Sequence, residues 1–211
     1  MPATDRRGLR RLRIWLWAVV ALVAAAVAAA AVGLWPKGAG SSDDPATADY
    51  ASAFGGPFSL VDPQGRRVTD ATLKGKPFAL FFGFTHCPDV CPTTLQSMVR
   101  LRHKLGADGD RFNIVFVSVD PERDTPAEIG NYLSMFATPI IGLTGTPAEL
   151  ARIVKAYHVF YQKVPIEGGD YVVDHTATVF LMDASGRFFS TLAYEEGEAA
   201  RLAKLRRLVK P

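Results

Sequence analysis

A chain of 211 residues that is 48% apolar and 21% charged is too long for a disulfide-stapled miniprotein and too mixed for a disordered polymer. Its net charge of +3 comes from the N-terminus: residues 1–35 hold five basic side chains and one acidic one, leaving 19 basic and 20 acidic side chains beyond. That balance excludes a nucleic-acid-binding domain built on a basic stripe. Two cysteines exclude a disulfide framework or a four-thiolate zinc site, so Cys87 and Cys91 act as one pair.

Taken in chain order, residues 1–13 form a basic tail with Arg6, Arg7, Arg10, Arg11 and Arg13. Ile14 to Trp35 contains no charge, and a helix of that length covers a hydrocarbon core of roughly 30 Å. Residues 14–35 are therefore predicted as a single transmembrane anchor with Trp15, Trp17 and Trp35 at its ends, the arginines holding the N-terminus in the cytoplasm. The competing reading is a signal peptide cleaved near Ala28 or Ala30. Both readings export the chain beyond Trp35. Residues 36–56, rich in Gly, Ala, Ser, Asp and Pro, read as a flexible linker.

From residue 57 to 211 short apolar stretches alternate with helical patterns. Phe58 to Val61 and Arg67 to Thr69 flank the turn Asp62-Pro-Gln-Gly65 and predict a hairpin. FALFFGF at Phe78–Phe84 and FNIVFVSV at Phe112–Val119 predict strands buried on both faces. A helix is expected from about Thr93 to Leu105. Thr125-Pro-Ala-Glu128 and Thr146-Pro-Ala-Glu149 each predict a helix start with a capping box. Ile140 to Leu143 and Phe160 to Val164 are further strand candidates. Thr178 to Met182 and Arg187 to Thr191 predict a second hairpin, and Glu198 to Val209 a closing amphipathic helix. This order implies an α/β domain with a central mixed sheet flanked by helices.

The segment Phe84-Thr-His-Cys-Pro-Asp-Val-Cys-Pro92 lies where a buried strand gives way to a helix. Pro92 fits a first helical turn, so Cys91 belongs at the helix mouth and Cys87 in the turn before it. Helix-terminal N–H groups favour thiolates there. Ligand sulfurs on one metal sit roughly 4 Å apart, which this spacing reaches easily. A disulfide needs Cβ atoms at about 3.5–4.5 Å, nearer than the ~5–6 Å of helical i, i+4 neighbours. The spacing thus allows a redox disulfide between Cys87 and Cys91 but leans toward metal.

A third ligand must come from four histidines. His103 lies among Arg100, Arg102 and Lys104, as a solvated residue would. His158 is placed to meet the carbonyls at a helix end. His86 adjoins Cys87, and neighbouring side chains on extended chain diverge. His175, after the loop Glu167-Gly-Gly-Asp170, ranks first. Two thiolates and an imidazole suit copper, as Cu(I) or Cu(II); zinc with a water is the alternative.

GFTHCPDVCPTTL at Gly83–Leu95, VSVDPERDTP at Val117–Pro126 and DYVVDHTATVFLMD at Asp170–Asp183 together resemble the Sco/SenC family. The resemblance spans nearly all of residues 54–210 and the anchor. It implies a thioredoxin-like fold, copper ligands at Cys87, Cys91 and His175, and assembly of the dinuclear copper centre of cytochrome c oxidase. The implied partners are the copper-receiving oxidase subunit and either another copper donor or a thioredoxin-like reductant. The implied location is a bacterial inner membrane with the domain in the periplasm, the mitochondrial inner membrane being the alternative. Asp89 and Asp174 are candidates for orienting the ligands by accepting their hydrogen bonds, although Asp89 serves equally to cap the turn. Asp120-Pro-Glu-Arg-Asp124 reads as a capped loop or a partner surface. The rival class is a thiol–disulfide oxidoreductase or redox sensor on the same fold. Against it, thioredoxins use CxxC, and peroxiredoxin-type enzymes place Thr three residues before the reactive cysteine, whereas Thr85 is two before Cys87.

Overall fold

The computed structural model describes residues 6–33 and 52–210. They fall in two units, divided after Asp44. The first contains one helix, α1 (Arg6–Gly33). It begins inside the basic tail and not at Ile14, since arginine is a good helix former. Its side chains at 14–28 are all exposed, Trp15, Trp17 and Leu22 among them. Among the described residues no helix is long and apolar enough to cross a membrane. Residues 1–5, the anchor's end at Trp35, and linker residues 36–51 lie outside the described residues.

The second unit holds a five-stranded sheet whose strands lie in the order Ile141–Leu143, Asn113–Ser118, Phe78–Gly83, Val179–Met182, Phe188–Leu192. At its middle is β3 (Phe78–Gly83), the uninterrupted apolar run, buried at every residue. β4 (Asn113–Ser118) runs parallel to β3, and β5 (Ile141–Leu143) parallel to β4. On the other side β8 (Val179–Met182) and β9 (Phe188–Leu192) are antiparallel, with a register shift at Leu181/Met182. The mixed sheet expected from the element order is present.

Parallel neighbours need crossovers. The one from β3 to β4 is α3 (Val90–Leu105) followed by a 3-10 turn at Gly106–Arg111; the one from β4 to β5 is α4 (Pro126–Ser134). Beyond β5, α5 (Pro147–Ala156) starts with a reciprocal Thr146/Glu149 box. At α4 the Thr125 hydroxyl accepts from the Glu128 N–H, a one-sided cap. A full capping box also closes the short helix α2 (Asp70–Leu73), where Thr69 and Thr72 exchange bonds, a start with no carboxylate to signal it. Before α2, β1 (Ser59–Val61) and β2 (Arg67–Thr69) form the expected hairpin. α6 (Glu198–Leu208) closes the domain against α3, where Arg201 donates to the Ser97 hydroxyl at 3.1 Å.

Two features differ from the sequence expectation. The segment before His175 is a strand: β6 (Tyr161–Pro165) pairs with β7 (Tyr171–His175) as a separate two-stranded sheet. Arg102, grouped with solvated neighbours of His103, is buried instead. Its guanidinium donates to the Thr138 hydroxyl and to the carbonyls of Pro139 and Phe112, and stacks over the Phe112 ring at 5.0 Å, which compensates a buried charge. His103 itself is exposed.

Register brings three connections together. β3 and β4 end side by side, Gly83 opposite Ser118, so the turn after β3 and the loop after β4 leave the same edge. β8 enters antiparallel with Val179 opposite Phe81, which brings the chain just before it, from His175 on, over that edge too. Carboxyl ends of parallel strands are where α/β sheets gather their sites.

Candidate metal centre

Cys91 is the second residue of α3 and is fully buried. Gly83, the last residue of β3, makes room for it: a Cβ there would stand 2.9 Å from the Cys91 sulfur and 2.8 Å from Phe116 Cε2. Cys87 lies in the preceding turn, half-buried. Its N–H donates to the Phe84 carbonyl at 3.3 Å, and its Sγ accepts from the Cys91 N–H at 3.4 Å. The sulfur thereby satisfies one of the N–H groups that a helix start leaves without an internal partner. At the N-cap position, Asp89 has no side-chain capping bond. Its carboxylate accepts from the Thr93 hydroxyl at 3.1 Å.

His175, at the end of β7, points Nε2 at Cys91 Sγ, 3.3 Å away. Its Nδ1 lies 3.1 Å from the Thr176 carbonyl, an acceptor only, which makes Nε2 the ring nitrogen available to a metal. The ring stands edge-on to Phe81 and Phe84, centroids 5.8 and 5.9 Å apart. Two aromatic walls and one carbonyl fix its orientation. Asp174 is exposed, opposite Gln162 in the β6–β7 pairing. His86 is exposed with Nδ1 3.0 Å from the Thr85 hydroxyl. His158 sits after α5 at φ 52°, its Nε2 3.0 Å from the Ala53 carbonyl and its ring against Phe54.

The sulfurs of Cys87 and Cys91 and a ring nitrogen of His175 lie within 4.8 Å of one another. Among the described residues no other group of histidine, cysteine and carboxylate side chains is gathered this way. Both cysteines are free thiols. Donors about 2.0–2.3 Å from a shared metal with trigonal angles are spaced at roughly 4 Å, so the trio needs only small shifts to close on an ion. The pair is electrostatically asymmetric. The hydrogen bond from Cys91 holds Cys87 far below the ordinary thiol range, against burial and with help from His175 and the N–H groups of Cys91 and Asp89. That same bond, with burial and the charge on Cys87, pushes Cys91 far up.

Sequence reasoning read the Asp120–Asp124 loop as a capped loop or a partner surface; in the structure its two aspartates turn inward beside the site. Asp120, Asp124 and Ser118 are all buried. Asp124 accepts from the Thr85 N–H at 2.9 Å, the Thr85 hydroxyl at 2.6 Å and the Ser118 hydroxyl at 2.6 Å. Two carboxylates just after a strand buried on both faces were the available signal.

Residues 46–210 match the family model SCO1/SenC. The chain is 44% identical over 138 residues to the mitochondrial SCO1 homolog 1 of Arabidopsis thaliana, covering 65% of this chain and 41% of that protein, so it spans less than half that relative's length. Among solved structures, Bradyrhizobium japonicum ScoI with copper bound is 50% identical, covering 74% of this chain and 99% of that one, with a TM-score of 0.68. Yeast Sco1 with copper bound is 37% identical, covering 74% and 88%, with a TM-score of 0.69. A match over nearly the whole second unit, with the cysteine and histidine segments inside it, settles the relationship: the chain belongs to the SCO1/SenC family.

Proposed function

We propose that the protein is a copper metallochaperone of cytochrome c oxidase assembly, holding one copper through Cys87, Cys91 and His175. The observation that carries this reading is the convergence of two sulfurs and one oriented imidazole nitrogen within 4.8 Å. Soft thiolates select Cu(I), and imidazole serves both copper states. The copper-bound ScoI and Sco1 structures support the choice of metal. The recipient is the oxidase subunit that carries the dinuclear copper centre; another copper donor or a thioredoxin-like reductant is the partner that loads or reduces the site. Asp89 and Asp174 remain proposed as outer acceptors, although neither carboxylate bonds a ligand directly in the metal-free arrangement. The uncharged run Ile14–Trp35 and the exposed apolar side chains of α1 support a single-pass anchor in a bacterial or mitochondrial inner membrane.

A second reading, thiol–disulfide exchange, is favoured by the asymmetry of the pair, because a half-exposed thiolate beside a buried thiol suits an attacking and a resolving cysteine. Anaerobic copper titration of the reduced protein separates the two. The expected result is one copper per chain with a thiolate-to-Cu(II) charge-transfer band, lost in the Cys87→Ser, Cys91→Ser double variant and altered in His175→Ala. Persistence of the band in the double variant refutes the site. Loss of binding in His86→Ala with retention in His175→Ala refutes the choice of histidine.

A further inference from the structure

The β6–β7 sheet that bears His175 has no ladder to the central sheet that bears the cysteine turn. Something else must set the distance between them. Among the described residues, the polar side-chain contacts that tie this hairpin to the rest of the domain, apart from His175 itself, all run to residues 120–123. The Tyr171 hydroxyl donates to Asp120 Oδ1 at 2.7 Å. Arg123 donates to the Tyr171 carbonyl at 3.0 Å and to Asp170 at 2.9 Å, with its guanidinium stacked over the Tyr171 ring at 3.8 Å. Lys163 pairs with Glu122 at 2.6 Å.

The other end of the same loop holds the cysteine turn. Asp124 takes both the N–H and the hydroxyl of Thr85, two residues before Cys87. The two grips are joined, because Arg123 also donates to Asp120 Oδ2 at 2.6 Å and the Asp124 N–H to the Asp120 carbonyl at 2.9 Å. Ser118 bridges them again, its hydroxyl donating to Asp124 while accepting from the Asp120 N–H. Both carboxylates are essentially solvent-free, so these bonds act in a low-dielectric setting and are costly to break.

We propose that Asp120 and Asp124 form a two-ended clamp that positions His175 relative to Cys87 and Cys91, with Tyr171 as its contact on the histidine side. These are positioning residues: none of them is among the three gathered donors. The proposal rests on the copper-site reading and adds to it the element that holds the third ligand in place. Asp120 reaches the hairpin four residues before His175 and Asp124 reaches the turn two residues before Cys87, so loosening either end frees a ligand-bearing segment while leaving the ligands themselves intact.

The test uses the full reduced chain and the variants Tyr171→Phe, which removes one hydroxyl and keeps the ring for Arg123, and Asp120→Asn. Copper affinity should fall by about tenfold, the low end for groups that hold a ligand from behind. The Cu(II) absorption and EPR signature should move toward that of His175→Ala, while the thiolate band persists and thermal unfolding of the metal-free Tyr171→Phe protein stays near wild type. In a His175→Ala background the same substitutions should change copper affinity no further. Wild-type affinity and spectra in both variants overturn the clamp, as does an equal loss of affinity in the His175→Ala background, which would show an effect not routed through the histidine. Should the unaltered chain show no thiolate–copper band, the copper reading fails. The imidazole NMR signals of metal-free His175 then still decide the clamp: shifted or broadened signals in Tyr171→Phe uphold it, and unchanged ones overturn it.

Discussion

Replacing Gly83 by alanine tests whether the sheet's middle strand shapes the metal centre. The added Cβ would lie 2.8 Å from Phe116 Cε2, 2.9 Å from Cys91 Sγ and 3.2 Å from Phe81 Cε1. Optimal contacts between such atoms are about 3.5–4.0 Å, leaving a shortfall of roughly 0.5–1 Å on two sides. None of the three neighbours has free space, since Cys91, Phe81 and Phe116 are all fully buried. Overpacking of this kind costs typically 1–3 kcal/mol; about 2 kcal/mol lowers the melting temperature of a domain this size by roughly 4–8 °C. The displaced sulfur is a donor, and the displaced Phe81 ring is a wall of His175. Gly142→Ala is the matched control: its Cβ would clash with Ile129 and Leu133 at 2.5 Å, on β5 against α4. Thermal unfolding should show both variants destabilised. Only Gly83→Ala should shift the thiolate–Cu(II) band. Wild-type melting of Gly83→Ala, or equal spectral change in both, refutes the reasoning.

Two further outcomes are expected. Iodoacetamide should label Cys87 in the folded, reduced, metal-free protein and reach the enclosed Cys91 only after denaturation, with copper protecting both; mass spectrometry showing equal labelling of the two contradicts the geometry. Glu149 is held well below its ordinary value of 4.5, at about 2, first by its hydrogen bond from Arg67 and then by the Thr146 N–H and hydroxyl. A folded-state pKa lowered in this way gives stability that is present above about pH 4.5 and is lost as the pH falls toward 2. For a pair at the surface this amounts to about 1 kcal/mol. Urea unfolding should therefore show Glu149→Gln less stable at pH 7 and the gap narrowing below about pH 4.5 and closing toward pH 2; a gap of constant size refutes the coupling.

The parts of the fold that could be read in advance were those where one physical demand dominates. FALFFG at Phe78–Gly83 has no polar side chain, so only a doubly covered strand satisfies it, and it became the middle of the sheet. Thr-Pro-Ala-Glu marked two helix starts because both hydroxyl capping and the proline position are local chemistry. By contrast, β7 reads YVVDH, half polar and preceded by a glycine loop, and its strand character comes from pairing with β6. Arg102 looked solvated among charged neighbours, and its burial depends on carbonyls 10 and 37 residues away. The site divides the same way. Cys87 and Cys91 were apparent from spacing and Pro92, whereas residue chemistry alone left His175 open among four histidines, because which imidazole reaches the pair depends on the order of β3 and β8. The roles of Asp120 and Asp124 were hidden for the same reason, their partners Thr85 and Tyr171 being 39 and 51 residues distant.

The two readings of the cysteine pair compete for the same electrons, which constrains how one protein could serve both. A thiolate that attacks a disulfide uses the lone pair that would bind copper, so a loaded site is inactive in exchange and an oxidised pair cannot hold metal. In the proposed site both sulfurs would bind as thiolates, so copper uptake would release any proton that the pair still holds. In the proposed site a Cu(I) complex of two thiolates and a neutral imidazole would carry a net charge of −1, and a Cu(II) complex none. Such a negative centre would lie at the start of α3, where the Cys91 N–H already donates to Cys87 Sγ, and would be offset by the positive end of the helix. That offset would act most strongly on the Cu(I) form, so the start of α3 would bias the proposed site toward the reduced metal, the state in which its cysteines would be safest from oxidation by their own cargo.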